Sequence, residues 1–313
     1  MTATLVTVRR SGARRRRIPV IAIVGLAVLA AACLAALLAP WLAPYPPDVP
    51  AGAGSQPPSL EHPLGTTTQG FDVLSQLLYG ARTSLGVGLA VAGITTVMGL
   101  AIGVIAAYRG GWTDSVLSLL TNVFLVLPGL PLIVVLAAFL PPGPSTIILV
   151  LSITGWAFGA RLFRSQALSL RTREFVAAAE TAGMGRLRVM GTQIVPNMAS
   201  IIAAFVVNQV VFAITAEASL EFLGLGDPTT ISWGTMLFWA QTGSALLLGN
   251  WWEFVFPGLA IALTASMLTF VNYAVDETSS PRLQARELVH RFLGTGTRSS
   301  SLITPVRRTD ASS

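Results

Sequence analysis

The chain has 313 residues, of which 53% are hydrophobic and only 11% are charged, and its mean hydropathy is +0.68. This composition excludes an ordinary water-soluble domain and predicts an all-α integral membrane protein, because helices satisfy their own backbone groups in hydrocarbon. All twenty basic residues are arginine, and a chain without lysine cannot contain a Walker-type P-loop. The net charge of +6 comes from arginines beside apolar segments, so we expect contact with membrane lipid and no nucleic acid.

Six apolar segments are long enough to cross a bilayer, which takes about 20 helical residues. The first follows a basic stretch and could be a signal peptide, but its length and the Pro40-Trp41 pair after it favour a retained helix. We therefore predict about six transmembrane helices. They cover residues 18–42, 84–108, 117–140, 145–163, 201–220 and 251–275.

These segments divide the chain into five parts. All arginines except Arg82 fall on one predicted side of the membrane, and the side with excess arginine is normally cytoplasmic. Both termini are therefore predicted to be cytoplasmic. The parts are a basic cytoplasmic tail at 1–17, the first transmembrane helix at 18–42, an extracytoplasmic Pro- and Gly-rich loop at 43–80, a core of five transmembrane helices at 81–276 with a cytoplasmic loop at 161–199, and a cytoplasmic tail at 277–313.

Prolines and small residues predict local features of the spans. Pro128 and Pro131 in the third span, and Pro257 in the sixth, predict kinks or late helix starts. The external segment at 224–250 is predicted to include a short helix lying on the membrane. Small residues in the second span predict close helix packing. They are Gly86, Ala90, Gly93, Gly99 and Gly103.

The cytoplasmic loop is too long for a simple turn. Residues 174–181 are rich in alanine and predict a short helix, which Gly183 and Gly185 end. A second amphipathic stretch at 187–194 leads to Pro196. Two such helices would offer a docking surface to a soluble partner. The alternative is a surface loop whose arginines only set the topology.

This loop resembles the coupling loop, or EAA motif, of permease subunits of ATP-binding cassette (ABC) importers. The resemblance lies in the run from Arg173 to Ala179, in Gly183 and in Ile194 to Asn197, with Ala177 where the family has a glutamate. It implies that the loop docks into a cleft on an ATPase subunit. Glu180, one turn after Ala177, is a candidate to replace the missing carboxylate. The candidate coupling residues are Glu174, Ala178, Ala179, Glu180, Gly183, Pro196 and Asn197.

Four further segments narrow the resemblance to the C-type permeases of dipeptide, oligopeptide and nickel importers. Thr67, Phe71 and residues 272–275 depart from that pattern, and Asn122 stands where an aspartate is customary. The resemblance implies the type I ABC importer permease fold and a multi-pass position in a bacterial plasma (inner) membrane. The segments are His62 to Gly70 with Asp72 to Leu85, Gly110-Gly111-Trp112 with Asp114 and Pro128, Glu217 to Gly226 with Ser232 to Gly234, and Phe256 to Ile261 with Pro281-Arg282.

The resemblance implies one subunit of an ATP-driven importer that moves di- or oligopeptides by alternating access. The implied partners are a second permease subunit, two cytoplasmic ATPase subunits that hold ATP and Mg, and an extracytoplasmic solute-binding protein. The chain itself is expected to hold no cofactor or metal and to catalyse no reaction. Import of nickel or another small solute is the alternative. An ion-coupled secondary transporter is less favoured, because the spans lack a clear midspan charge.

Three polar residues are candidates for functional sites. Glu217 and Glu221 lie one turn apart near the outer end of the fifth span, where carboxylates are costly unless solvated or paired. We expect them to line the pathway or the outer gate; the alternative is that they only cap the helix end. His62 has no second histidine on its side, so we expect a structural role. No Ser/His/Asp grouping is expected on one membrane face, which argues against catalysis.

Overall fold

The computed structural model describes the backbone of residues 20–279, which contains eleven α-helices. The predicted tail at 1–17 and all but the start of the predicted tail at 277–313 lie outside the described residues. A π-helical turn at Met190–Ile194 and a 3-10 turn at Pro196–Met198 join the eighth helix to the ninth. The helices are α1 Val20–Leu37, α2 Ala39–Leu42, α3 Val73–Arg109, α4 Gly111–Val126, α5 Gly129–Phe139, α6 Pro144–Arg171, α7 Glu174–Thr181, α8 Arg186–Val189, α9 Ala199–Phe222, α10 Trp233–Thr242 and α11 Trp252–Ser279.

Four helical stretches of the described chain are long and apolar enough to cross a bilayer. They are α3, α6, the continuous run Arg186–Phe222 and residues Trp252–Asn272 of α11. The number becomes five if the bent pair α4 and α5 forms one span. The predicted helical membrane architecture is confirmed, whereas the number of six spans stays a prediction.

Helix α3 begins eleven residues before the predicted second span. Asp72 starts it, because its Oδ2 atom accepts hydrogen bonds from the backbone N–H and the hydroxyl of Ser75, both at 2.8 Å. The 37 residues of α3 span about 55 Å, well beyond the hydrocarbon thickness of about 30 Å. Residues 73–80 of the predicted external loop are therefore helical.

The third predicted span is not one helix. Helices α4 and α5 meet at an angle of 85° around Leu127 and Pro128. Pro128 lacks a backbone N–H and pushes Leu127 into an extended conformation, with φ −62° and ψ 135°. The predicted kink at Pro128 is confirmed, and it divides the predicted span at 117–140 between two helices. By contrast, α11 continues through Pro257.

The core forms where α3 packs against α6 and α9. A Cβ atom on Gly103 would lie 2.5 Å from the backbone oxygen of Ala160, and one on Gly99 would lie 3.0 Å from the Ala160 nitrogen. Only glycine permits this approach, so the small-residue prediction is confirmed at these two positions. It is wrong at Gly86 and Gly93, where a Cβ would meet nothing within 4 Å.

Candidate functional site

The first short helix of the predicted cytoplasmic loop, α7, has the predicted bounds Glu174–Thr181. Gly183 ends it in a left-handed conformation with φ +78°. This turn lets the Met184 N–H bond to the Ala179 oxygen at 3.1 Å and the Gly183 N–H bond to the Glu180 oxygen at 2.9 Å. Those bonds satisfy carbonyl groups that a helix end otherwise leaves free.

The second predicted stretch, at 187–194, is α8 followed by a π-helical turn, and it leads directly into α9. Helix α8 passes through the π-helical turn, where the Val195 N–H bonds to the Met190 oxygen at 2.9 Å, and then into α9. Pro196 cannot donate a backbone hydrogen bond, which accounts for the irregular turn before α9. Asn197 stabilises the bend, because its side-chain nitrogen donates to the Gln193 oxygen at 2.6 Å. We call residues 172–198 the elbow.

The elbow is anchored by apolar side chains that pack on the C-terminal ends of α3 and α6. Its candidate coupling residues lie mainly on the opposite, accessible surface: Glu174, Ala178, Gly183, Pro196 and Asn197 are exposed, and Ala179 is half-buried. Helix α6 extends to Arg171, so the first eleven residues of the predicted loop at 161–199 are helical. The buried anchors are Val176, Val189, Met190 and Ile194, which join Ala107, Tyr108, Phe163 and Ala167 in one cluster.

A polar contact also ties the elbow to the bundle. The hydroxyl of Tyr108 donates to Glu180 Oε1 at 2.6 Å. Arg171 donates to the Ala107 oxygen at 3.1 Å, and its guanidinium lies 5.8 Å from the centre of the Tyr108 ring. Glu180 thus uses one carboxylate oxygen for a bond within the subunit, and Ala177 itself offers no carboxylate. This contact does not support the idea that Glu180 replaces the missing glutamate.

Two arginines of α6 face α4. Arg164 donates to both carboxylate oxygens of Asp114 at 2.6 Å, and Arg161 donates to Asn122 Oδ1 at 2.9 Å. The spacing of three residues places both arginines on one face of α6. From sequence, the two arginines indicate only the topology. The helical spacing, together with Asp114 and Asn122 eight residues apart on α4, is the signal that could have predicted this contact.

The two candidate pathway glutamates are buried between α3, α9 and α10. Glu217 is 0% exposed; its Oε1 accepts from the Ser84 hydroxyl at 3.1 Å, and its Oε2 has no described hydrogen-bond partner. Glu221 is 2% exposed and accepts from the hydroxyl of Ser232, the N-cap of α10. A Cβ on Gly234 would lie 2.5 Å from Glu221 Oε2, so α10 packs directly on this carboxyl group. Neither glutamate lines an open surface in this conformation.

The predicted external loop contains a polar network that the sequence did not predict. His62 Nδ1 lies 3.0 Å from Asp72 Oδ1, and both side chains are buried. The prediction that no Ser/His/Asp grouping forms on one face is therefore wrong. The three residues do not form a catalytic triad. In a triad the serine hydroxyl bonds to the histidine, whereas the Ser75 hydroxyl donates to Asp72. The same loop is tied to α11 where the Thr68 N–H donates to Glu253 at 2.9 Å.

Comparison with known proteins places this architecture in a family. Residues 99–285 match the model of the binding-protein-dependent transport system inner membrane component, and residues 20–58 match the N-terminal TM domain of oligopeptide transport permease C. The dipeptide transport system permease protein DppC of Bacillus subtilis (strain 168) is 34% identical over 275 residues, which cover 87% of this chain and 85% of DppC.

The oligopeptide transport system permease protein OppC of the same organism is 34% identical over 266 residues, which cover 84% of this chain and 86% of OppC. The resemblance seen in the loop motif and in the four further segments is thus confirmed. The chain belongs to the family of binding-protein-dependent transport system inner membrane components, and it is a multi-pass membrane permease.

Proposed function

We propose that this chain is a permease subunit of an ATP-driven importer that carries di- or oligopeptides across the bacterial plasma membrane. The observation that carries the proposal is similarity along most of the chain to permeases named for dipeptide and oligopeptide transport. In this role the chain catalyses no reaction itself. Its helices alternate between outward and inward access, and hydrolysis of ATP with Mg takes place in other subunits.

The proposed complex contains a second permease subunit, two cytoplasmic ATPase subunits and an external solute-binding protein. The elbow supplies the ATPase contact, which is supported by its accessible surface and by two apolar side chains, Phe175 at 39% and Leu187 at 78% exposed. Exposed apolar residues on a rigid, anchored segment favour protein contact. With the elbow on the cytoplasmic side, both termini are cytoplasmic, as the placement of the arginines supports.

Glu217 and Glu221 remain our candidates for the outer gate. Both link α9 to neighbouring helices, Glu217 to α3 through Ser84 and Glu221 to α10 through Ser232. We propose that α10 moves away from α9 when the transporter opens outward, which would uncover these carboxyl groups.

The proposal is tested by purifying the complex through a tag on this chain and reconstituting it in lipid vesicles with its solute-binding protein. We expect dipeptides or longer peptides to stimulate ATP hydrolysis and to accumulate inside the vesicles. A complex without an ATPase subunit would contradict the proposal. Stimulation by nickel with none by peptides would instead support the alternative substrate.

The docking role of the elbow is tested separately by Leu187→Asp. We expect the ATPase subunits to co-purify poorly with this variant, because a carboxylate replaces an apolar contact. Leu60→Asp in the external loop is the matched control, since Leu60 is an exposed leucine on the opposite side of the membrane. Equal ATPase recovery in the two variants would argue against contact through Leu187.

A further inference from the structure

A small polar pocket lies between α3, α4 and α6, away from the elbow surface. Its volume is about 150 Å³, and its polar lining consists of Ser118, Thr121, Asn122, Arg161 and Arg164. Pockets for whole drug-sized ligands usually measure about 300–1,000 Å³. This pocket therefore suits one small polar group rather than an entire solute.

The charges around the pocket do not cancel. Arg164 is neutralised by its two-point contact with Asp114. Arg161 bonds only to the neutral amide of Asn122, and no carboxylate among the described side chains lies within 4.0 Å of its guanidinium. A guanidinium has five N–H donors, so most of those on Arg161 remain available. The pocket thus carries one uncompensated positive charge.

The surroundings favour a membrane lipid as the source of the anion. The surface of α4 beside the pocket is apolar and exposed, including Leu119 at 65% and Val123 at 49%. In the proposed orientation the pocket lies in the cytoplasmic half of α6, where Arg161 is ten residues before the helix end, and beside the middle of α4. Basic pockets between transmembrane helices on this side are suited to anionic headgroups, and the adjoining apolar surface would accommodate acyl chains.

We propose that Arg161 binds the phosphate of an anionic phospholipid of the cytoplasmic leaflet. The hydroxyls of Ser118 and Thr121 line the pocket but already donate to Asp114 Oδ1 and to the Leu117 oxygen. Arginine is well suited to phosphate because its planar guanidinium can donate two parallel hydrogen bonds. Asn122 permits binding by leaving the guanidinium uncompensated. An aspartate at this position would pair with Arg161 within the protein and compete with the phosphate. The orientation rests on the proposed function, but the binding of lipid can be measured without transport.

The test uses the purified complex equilibrated with dioleoylphosphatidylcholine vesicles that contain or lack dioleoylphosphatidylglycerol, followed by native mass spectrometry of retained lipid. Asn122→Asp is expected to weaken retention of phosphatidylglycerol by about tenfold or more, the effect of losing one charged hydrogen bond. Arg161→Gln is expected to act in the same direction. Ser115→Asp is the matched control, because it adds the same charge at an exposed position of α4 outside the pocket.

Equal retention of phosphatidylglycerol by Asn122→Asp and Ser115→Asp would overturn the proposal. Displacement of the lipid by inorganic phosphate at equal concentration would also overturn it, because the site would then hold a free anion. Thermal unfolding of each complex identifies a variant that loses lipid only because it fails to fold. Peptide uptake by the unmodified complex is measured in parallel, so failure of the transport proposal can be distinguished from failure of this one.

Discussion

The hydroxyl of Tyr108 donates to Glu180 at 2.6 Å and thereby joins the last turn of α3 to the last turn of α7. Tyr108 is only 6% exposed, and the guanidinium of Arg171 lies beside its ring. The elbow is therefore held to the bundle by a directed polar contact in addition to its apolar anchors. Displacement of α7 by an ATPase would pull on α3 through this contact.

Tyr108→Phe is expected to reduce the solute transported per ATP hydrolysed. The substitution keeps the ring in its cluster and removes only the bond to Glu180, at a cost of about 1 kcal/mol at this partly exposed site. The measurement compares uptake and ATP hydrolysis in reconstituted vesicles. Tyr79→Phe makes the same change near the other end of α3 and serves as control. Glu180→Gln should retain coupling, since its amide oxygen can still accept. An unchanged transport ratio in Tyr108→Phe would exclude this role.

Gly183→Val is expected to uncouple hydrolysis from transport while the complex still assembles. A β-branched residue at φ +78° costs about 1–2 kcal/mol, and relaxation of that strain would alter the direction in which the chain leaves α7. Gly185→Val is the matched control, because Gly185 has an ordinary φ of −64° and, like Gly183, has open space within 4 Å of the position that a Cβ atom would occupy. If both variants behaved alike, the conformation of Gly183 would not explain the coupling.

Gly103→Ala and Gly93→Ala are expected to change stability in opposite directions. A methyl group on Gly103 would meet the Ala160 oxygen at 2.5 Å, and the resulting separation of α3 and α6 should cost about 1–3 kcal/mol. A methyl group on Gly93 meets nothing within 4 Å and improves helix propensity by up to about 1 kcal/mol. Thermal unfolding of the purified complex measures both. Similar destabilisation by the two substitutions would contradict the close approach at Gly103.

Asp72→Ala is expected to destabilise the protein by about 3 kcal/mol. It removes the N-cap of α3 and leaves His62 and Ser75 buried without their shared acceptor. Asp48→Ala, in the same loop, removes an exposed carboxylate and should be nearly neutral. Thermal unfolding and limited proteolysis of the external loop provide the measurements. A loop equally protected in both variants would show that the His62–Asp72 contact contributes little.

The elements best predicted from sequence are those whose ends are set by residues adjacent in the sequence. Helix α7 has its predicted bounds because an alanine-rich run meets a glycine that can adopt positive φ. The early start of α3 was missed because polar residues after Asp72 lower the local hydropathy, although the cap itself is visible as an aspartate three residues before Ser75. The kink at Pro128 was predictable, but its 85° angle depends on how α4 and α5 pack on α6.

Contacts between distant residues could not be predicted in this way. Tyr108 and Glu180 are 72 residues apart, and their approach depends on the packing of three helices. His62 reaches Asp72 because the intervening loop turns at Gly65 and Gly70, both with positive φ. Glu217 and Glu221 are candidates because carboxylates are costly in a membrane, and that reasoning carries no information on which helix covers them.

Helix α3 runs without interruption from its N-cap Asp72, in the predicted external loop, to Arg109 beside the elbow. Events at its two ends are then thermodynamically linked if the helix moves as a rod. If binding of the ATPase changes the affinity for the external binding protein by a given factor, binding of that protein must change the affinity for the ATPase by the same factor. The two affinities, measured separately on the same complex, should therefore change by the same ratio.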